Sequence, residues 1–327
     1  MGSFAKFGYD AILADYPKYF ANGVVTQNFR RVVHHRGGLI KTELEVVDIM
    51  EYNPEYPRQR YDNFAEREWE RLERDRLGEL LYHVHLDILK RHIMPTDNVI
   101  ELGAGAGRFT KEITKISKSL ITSDISPVQV EINKKKMKEY NLYENVKDFL
   151  ILDISNLKDI KDNSFEVAVC IGGPINYLFD KEKQAIQEML RIIKPNHKLI
   201  LGAMSKIGAI IYHMAGVLYE KNLFGIEATE WIFNTGLQEP EHYPVENKHY
   251  VHMMTSLELD KLFEGEKVEI LEKSSAGLFM HSREENLNAA KEDLELWGLL
   301  LRKEIEFTKL PSTLDCGMNI IYVVKKL

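Results

Sequence analysis

The sequence contains few cysteines, no long apolar run and no excess of positive charge. Its two cysteines, Cys170 and Cys316, lie far apart and form no Cys-x-x-Cys pair, which favours a reducing, cytoplasmic location. No apolar stretch approaches the roughly 20 residues that span a membrane, and the N-terminus has no apolar core of a secretory signal. The formal net charge of −7 disfavours a protein that binds nucleic acid by neutralising phosphates.

The most informative stretch is Val-Ile-Glu-Leu-Gly-Ala-Gly-Ala-Gly-Arg-Phe-Thr at residues 99–110. Two β-branched residues end a buried strand, and glycines then alternate with small residues before a helix. Such a turn lets a ligand approach main-chain N–H groups. The spacing is G-x-G-x-G and not the G-x-G-x-x-G of dinucleotide folds. The acid Glu101 precedes the first glycine by two residues, and a carboxylate there favours a cationic ligand over a polyanion.

Strands and helices alternate after the leading helical region, which predicts a parallel sheet covered on both faces. Acids or glycines follow the predicted strands, at Glu101, Asp124, Asp153 and Gly172-Gly173. Because the carboxyl ends of parallel strands line one crevice, we expect these residues to converge. The predicted strands are Asn98–Leu102, Ser119–Ser123, Val146–Leu152, Phe165–Ile171, His197–Met204, Val268–Lys273 and Asn319–Val324, and the predicted helices include Pro127–Tyr140, Asp180–Ile193, Leu257–Phe263 and Glu284–Phe307, with a turn at Lys194-Pro195.

Two segments fall outside this alternation. Residues 1–60 are rich in aromatics, and we interpret them as an N-terminal extension that covers the main domain at 61–327 or contacts a partner subunit in a homodimer. Residues 205–254 are rich in histidine and aromatics, which predicts a helical, aromatic insertion that closes over the pocket as a lid. A helical pattern begins at Asn63, which resembles a capping box with Glu66.

From Tyr61 to Leu327 the sequence resembles the class I, Rossmann-like S-adenosylmethionine-dependent methyltransferases, in particular their small-molecule branch. The resemblance implies an α/β, doubly wound, mostly parallel seven-stranded sheet with an antiparallel last strand. Asn196-His197 depart from the Gly-Gly that often follows Lys-Pro in the family. The matching motifs are the glycine turn, Ser-Asp-Ile-Ser at 123–126, Leu-Asp-Ile at 152–154, Gly-Gly-Pro-Ile-Asn-Tyr at 172–177 and Leu-Arg-Ile-Ile-Lys-Pro at 190–195.

The resemblance implies S-adenosylmethionine as the cofactor and S-adenosylhomocysteine as the product. It implies that Glu101 orders the turn and reads the cofactor's amino-acid end, that Asp124 meets the ribose, and that Asp153 meets the adenine. The segment 170–173 would lie under the methionine part. The predicted cofactor-binding residues are Tyr61, Glu101, Gly103, Ala104, Gly105, Gly107, Asp124, Ile125, Asp153, Ile154, Ile171 and Gly172.

Methyl transfer from a sulfonium depends mainly on proximity and alignment. A general base is needed only when the acceptor is a hydroxyl or a protonated amine, and histidine suits that role. The candidate bases are His213 and His252. No metal is expected, because no His-Cys-carboxylate spacing is present. The side chains predicted to contact the acceptor, each with an alternative as ordinary core, are Tyr177, Tyr212, Trp231 and His249.

The sequence therefore predicts a cytoplasmic methyltransferase that acts on an O or N atom of a small molecule, such as a natural product. No nucleic-acid or membrane partner is expected. Two alternatives stay open. One is a non-catalytic protein that binds S-adenosylmethionine or S-adenosylhomocysteine, because the glycine motif reports binding rather than turnover. The other is an NAD(P)-dependent oxidoreductase on a related fold.

Overall fold

A computed structural model describes residues 50–71 and 76–327, and its central element is a seven-stranded sheet. The strands, in chain order, are β1 Asn98–Leu102, β2 Ser119–Asp124, β3 Val146–Ile151, β4 Phe165–Cys170, β5 Ile193–Met204, the short β6 Leu237–Gln238 and β7 Val251–His252, β8 Val268–Ala276 and β9 Asn319–Lys326. The order across the main sheet is β3-β2-β1-β4-β5-β9-β8. Strands β1 to β5 pair in parallel, and β9 pairs antiparallel with both β5 and β8. The predicted fold class is confirmed.

Helices cover both faces of this sheet. They are α1 Glu55–Phe64, α2 Arg67–Glu70, α3 Arg76–His92, α4 Thr110–Ile116, α5 Pro127–Glu139, α6 Glu182–Ile192, α7 Lys206–His213, α8 Val217–Phe224, α9 Ile226–Thr235, α10 Ser256–Phe263, α11 Glu284–Lys291 and α12 Leu294–Phe307. Successive side chains of a strand point to opposite faces of the sheet, so the core has two parts. Val99 packs with α3, α4 and α5 on one face, and Ile100 packs with α6 and α10 on the other. None of the helices in the described ranges combines the length and apolarity needed to cross a membrane.

The leading helical region differs from the prediction. Asn63 does not cap a helix, because α1 begins at Glu55 after Pro54 and ends at Phe64, before Ala65, whose φ is +50°. The helix therefore crosses the predicted domain boundary between residues 60 and 61. Gln129 on α5 donates hydrogen bonds to the carbonyl oxygens of Tyr61 (2.9 Å) and Ala65 (3.1 Å), which fixes α1 to the main domain. Residues 1–49 of the predicted extension lie outside the described part of the chain.

Two further predictions need correction. The helix predicted over Glu284–Phe307 is two helices, because Asp293 accepts hydrogen bonds from the N–H groups of Glu295 and Leu296 and starts a new one. The turn predicted at Lys194-Pro195 lies inside β5. There Ile193 pairs with Phe165 and Lys198 with Val167, so residues 194–197 form an irregular bulge opposite Glu166.

The insertion at 205–254 leaves and rejoins the sheet at the carboxyl end of β5. The N–H of Met254 donates to the carbonyl oxygen of Met204 (3.0 Å), which closes the insertion at its base. The insertion contains α7, α8, α9 and the β6–β7 pair. Its apolar cluster includes Ile232 and Val251 together with Tyr177 from the loop after β4, and Tyr61 packs against it. The insertion is thus joined to the region beyond the strand ends.

Candidate active site

The glycine turn between β1 and α4 forms the floor of a pocket at the carboxyl ends of the strands. Gly103, Gly105 and Gly107 have φ values of +70°, +53° and +92°, a region that side chains with a Cβ rarely adopt. A Cβ on Gly103 would lie 2.3 Å from Cγ of Pro174, and one on Gly107 would lie 2.1 Å from Oδ1 of Asn133. The turn therefore needs glycine for both its backbone angles and its close packing.

Glu101 holds this turn from below. Its side chain is buried, and its Oε2 accepts hydrogen bonds from the hydroxyls of Thr110 (2.5 Å) and Thr122 (3.0 Å). Asn133 in turn donates to the Thr110 hydroxyl at 2.9 Å. Burial raises the pKa of Glu101 to about 7, against the opposing effect of the two hydroxyls. The carboxyl group lies at the pocket lining, where a cation favours its ionised form.

Asp124 ends β2 and ties the turn to the pocket wall. It accepts hydrogen bonds from the backbone N–H groups of Gly105 (2.8 Å) and Ser126 (2.9 Å). Burial raises its pKa to about 6 although both N–H groups favour the charged form. The position of this carboxyl beside the turn results from parallel pairing of β1 with β2, since Leu102 is in register with Ser123.

Asp153, which follows β3, closes the far end of the pocket with Tyr52. Its Oδ2 accepts a hydrogen bond from the Tyr52 hydroxyl (3.0 Å), and its Oδ1 accepts from the N–H of Ser155 (2.8 Å). Burial, reinforced by the charge of Asp153, raises the pKa of Tyr52 well above its usual value. Tyr52 was not among the predicted residues, because its only local signal is a loop rich in proline.

The segment 50–71 covers the pocket from one side and contributes several lining residues that the sequence did not indicate. Glu68 and Arg71 form an ion pair, with Nη2 of Arg71 2.8 Å from Oε1 of Glu68. All of the predicted cofactor-binding residues except Gly107 line the pocket. The lining residues missed by the sequence are Tyr52, Pro57, Glu68, Arg71, Leu102, Arg108, Phe109, Leu152, Pro174 and Leu178.

A chain of three polar side chains begins at the pocket wall. The hydroxyls of Tyr61 and Tyr177 are 3.0 Å apart, and the Tyr177 hydroxyl is 3.1 Å from Nε2 of His249. Burial raises the pKa values of both tyrosines. Burial, together with the positive charges of Arg60 and His213, lowers the pKa of His249 to about 3. At neutral pH the chain is therefore a hydrogen-bonded set of neutral groups.

The structure does not bring the two predicted bases to the pocket lining. His252 is buried with its Nδ1 2.7 Å from Oε1 of Glu182. Burial opposes its charged form, but the hydrogen bond and charge of Glu182 prevail and raise its pKa. His213 ends α7, and burial lowers its pKa. His252 thus forms a structural ion pair with Glu182, which lies seventy residues earlier in the chain.

Of the four side chains predicted to contact the acceptor, only Tyr177 lines the pocket, and His249 reaches it through the Tyr177 hydroxyl. Trp231 stacks on His242 with ring centroids 4.3 Å apart, and Tyr212 packs against the core on the α3 face. Within residues 50–71 and 76–327, no group of three or more His, Cys, Asp or Glu side chains is arranged to hold a metal ion.

The family model described as "Methyltransferase domain" matches residues 99–196, which run from β1 into the bulge of β5. The ubiquinone/menaquinone biosynthesis C-methyltransferase UbiE of Rickettsia prowazekii is 31% identical over 116 residues, 34% of this chain and 45% of that protein. The ribosomal RNA small subunit methyltransferase A of Clostridium botulinum is 34% identical over 79 residues, 24% of this chain and 29% of that protein. The chain thus spans less than half the length of both relatives.

A solved structure shows the same fold over most of the chain. It is a chain of the complex between the Haloferax volcanii Trm112 methyltransferase activator and the putative methyltransferase. The two chains superpose with a TM-score of 0.50 at 18% identity, covering 82% of this chain and 96% of that one.

The polar groups that line the pocket fit S-adenosylmethionine. The three glycines of the turn allow its close packing, and carboxyl groups lie at or just beyond the carboxyl ends of three adjacent strands. Carboxylates accept hydrogen bonds from ribose hydroxyls and from an adenine amino group, and they favour a cationic sulfonium. Residues 99–196 are thus similar to a methyltransferase domain, and the pocket that they help to line suits S-adenosylmethionine.

Proposed function

We propose that the protein transfers a methyl group from S-adenosylmethionine to an oxygen or nitrogen atom of a small molecule. The cofactor supplies an activated methyl group on a sulfonium, so the protein's contribution is binding and alignment. The glycine turn, Asp124 and Asp153 hold the cofactor in this proposal. The loop after β4 then places Gly172 and Tyr177 on the pocket wall where the acceptor would approach.

The observation that carries the proposal is the chain from Tyr61 through Tyr177 to His249. When Tyr61 donates to Tyr177 and Tyr177 donates to Nε2 of His249, the oxygen of Tyr61 is left as a hydrogen-bond acceptor. An acceptor hydroxyl that donates to Tyr61 is oriented by this chain with its oxygen toward the methyl group. Burial lowers the pKa of His249, so the imidazole stays neutral and ends the chain as a hydrogen-bond acceptor, and the proton of the methylated oxygen leaves to solvent. This supports a hydroxyl as the favoured acceptor.

The covering elements support a small acceptor. Segment 50–71 lies over the glycine turn, and the insertion at 205–254 packs against Tyr61 and Tyr177. Elements on two sides of one pocket exclude water and restrict the size of what enters. We propose that the insertion covers the acceptor and that the N-terminal extension, of which residues 50–60 are described, covers the cofactor. A role of residues 1–49 in covering the pocket or in forming a homodimer stays a prediction.

The test is release of S-adenosylhomocysteine with a panel of phenols, alcohols, carboxylic acids, amines and a ribosomal RNA fragment. We expect turnover with a hydroxyl or amine compound and none with the RNA. For a hydroxyl acceptor, Tyr177→Phe and His249→Gln should each lower kcat by roughly 10²-fold or more while leaving S-adenosylhomocysteine affinity unchanged. Tyr250→Phe is the matched control, because the Tyr250 hydroxyl donates to the carbonyl oxygen of Val245 within the insertion, away from the pocket.

The panel also separates the alternatives. Methylation of the RNA fragment in preference to every small compound would contradict the small-molecule acceptor. Tight binding of S-adenosylmethionine with no methyl transfer to any compound would favour a non-catalytic binding protein. Equal loss of activity in Tyr250→Phe and Tyr177→Phe would contradict the role of the polar chain.

A further inference from the structure

The ion pair between Glu68 and Arg71 lies over the two glycine turns of the pocket. A Cβ on Gly105, in the turn after β1, would lie 3.1 Å from Cγ of Glu68. A Cβ on Gly172, in the turn after β4, would lie 4.0 Å from Nη2 of Arg71. One acid and one base from a single short segment therefore meet both turns, and all four residues line the same pocket.

This ion pair does little to hold the fold together. Its members are three residues apart, so they connect no separate elements. Nε of Arg71 lies 3.1 Å from both carboxylate oxygens of Glu68, and Nη2 lies 2.8 Å from Oε1. The Arg71 side chain is 38% exposed and that of Glu68 13%. Partly exposed pairs at this spacing contribute little to stability, so their placement in the pocket calls for another explanation.

We propose that Glu68 and Arg71 together bind the zwitterionic amino-acid end of the cofactor, Glu68 taking the ammonium group and Arg71 the carboxylate. This rests on the proposed function only in that the pocket binds S-adenosylmethionine. A guanidinium matches a carboxylate with two parallel N–H donors, and a carboxylate accepts from an ammonium group. When the ligand binds, the ion pair between Glu68 and Arg71 is replaced by two ion pairs with the ligand. Every charged group therefore keeps a partner.

The resemblance implied that Glu101 reads this amino-acid end, and the structure points to a different division of roles. Oε2 of Glu101 already accepts hydrogen bonds from Thr110 and Thr122, which ties the carboxyl to the base of the turn. Glu68 lies on the opposite side of the turn, on the segment that covers the pocket. Glu101 then shapes the turn, and Glu68 contacts the ligand.

The test compares two ligands that share the adenosine but differ at the amino-acid end. S-adenosylhomocysteine carries the ammonium and carboxylate groups, and 5′-methylthioadenosine lacks both. Calorimetric titration of each ligand into Arg71→Gln and Glu68→Gln should show at least a tenfold loss of affinity for S-adenosylhomocysteine and less than a twofold change for methylthioadenosine. Arg71→Lys, which keeps the charge but loses the guanidinium fork, should give an intermediate loss.

The matched control is Arg58→Gln, because Arg58 and Glu55 form an exposed pair of the same three-residue spacing on α1, with Nη1 3.2 Å from Oε1. It should leave both affinities unchanged. Equal losses for the two ligands in Arg71→Gln, or no loss for either, would overturn the assignment while leaving cofactor binding established. A wild-type protein that binds neither ligand would overturn the proposed function as well. Thermal melting of each variant separates loss of folding from loss of binding.

Discussion

Asp124 gives the molecule a specific dependence of stability on pH. The side chain is 7% exposed, and burial raises its pKa from 3.8 to about 6. A carboxyl whose pKa is higher in the folded state binds more protons folded than unfolded. Its stabilising contribution is therefore fully present below about pH 4 and is lost as the pH rises through about 6. A shift of about two units corresponds to about 3 kcal/mol, of which about half falls between pH 5 and pH 8.

Substitution Asp124→Asn removes this dependence. The amide cannot ionise, but its single oxygen can accept from only one of the two N–H groups that Asp124 now binds, those of Gly105 and Ser126. The loss of one buried hydrogen bond costs about 1–2 kcal/mol at every pH. We expect the variant to be less stable than the wild type at pH 5. Between pH 5 and pH 8 the wild type should lose about 1.5 kcal/mol more stability than the variant, so the difference between them becomes smaller or changes sign.

The assay is urea unfolding of the wild type and Asp124→Asn at pH 5 and pH 8, without ligand. Asp148→Asn, which changes an exposed carboxyl on β3, serves as the control and should keep the wild-type slope. The informative quantity is the difference between the pH slopes of the two proteins, because titrating groups distant from Asp124 cancel in it. Glu101, whose pKa the charge of Asp124 helps to raise, adds to the difference in the same direction. Identical slopes for the wild type and Asp124→Asn would refute the reasoning.

Other outcomes follow from the same structure. Gly107→Ala should lower the free energy of unfolding by about 2–3 kcal/mol, since its Cβ would displace the Asn133 amide, and an unchanged melting temperature would contradict this. His252→Gln should destabilise the fold by up to about 3 kcal/mol by leaving Glu182 buried without its ionic partner, with unchanged affinity for S-adenosylhomocysteine. Binding of S-adenosylmethionine near pH 6 should release more protons than binding of S-adenosylhomocysteine, because only the sulfonium favours ionisation of the pocket carboxyls. Calorimetric titrations in buffers of different ionisation enthalpy measure that release. Equal proton release for the two ligands would contradict the effect of the sulfonium on the pocket carboxyls.

The floor of the pocket was predictable because its signals are local. β-branched residues before a glycine turn predict a strand that ends there, and β1 has the predicted bounds Asn98–Leu102. To predict that Asp124 and Asp153 lie near that turn, one must also infer that the strands are parallel. Because βα units place consecutive strands in one sheet with the same direction, the order of the chain was sufficient.

Apart from Tyr61, Gly172 and Tyr177, the walls of the pocket were not predicted, because they depend on contacts between distant segments. Glu68 and Arg71 show only the pattern of a helix exterior, and they reach the pocket because α1 is fixed to α5 through Gln129. His249 and His252 lie in the same histidine-rich stretch. Their different surroundings arise from Tyr177 and Glu182, which approach from other elements. No spacing within the insertion distinguishes them.

The most direct measurement is calorimetric titration of S-adenosylhomocysteine and NADH into the wild-type protein and into Gly105→Arg. Gly105 has φ +53° and lies against Glu68, so an arginine there fills the pocket beside the turn. Saturable binding of S-adenosylhomocysteine to the wild type, its loss in a folded Gly105→Arg protein, and no binding of NADH are the results the account predicts. Absence of S-adenosylhomocysteine binding to the folded wild type, binding that survives Gly105→Arg, or binding of NADH in its place would contradict it.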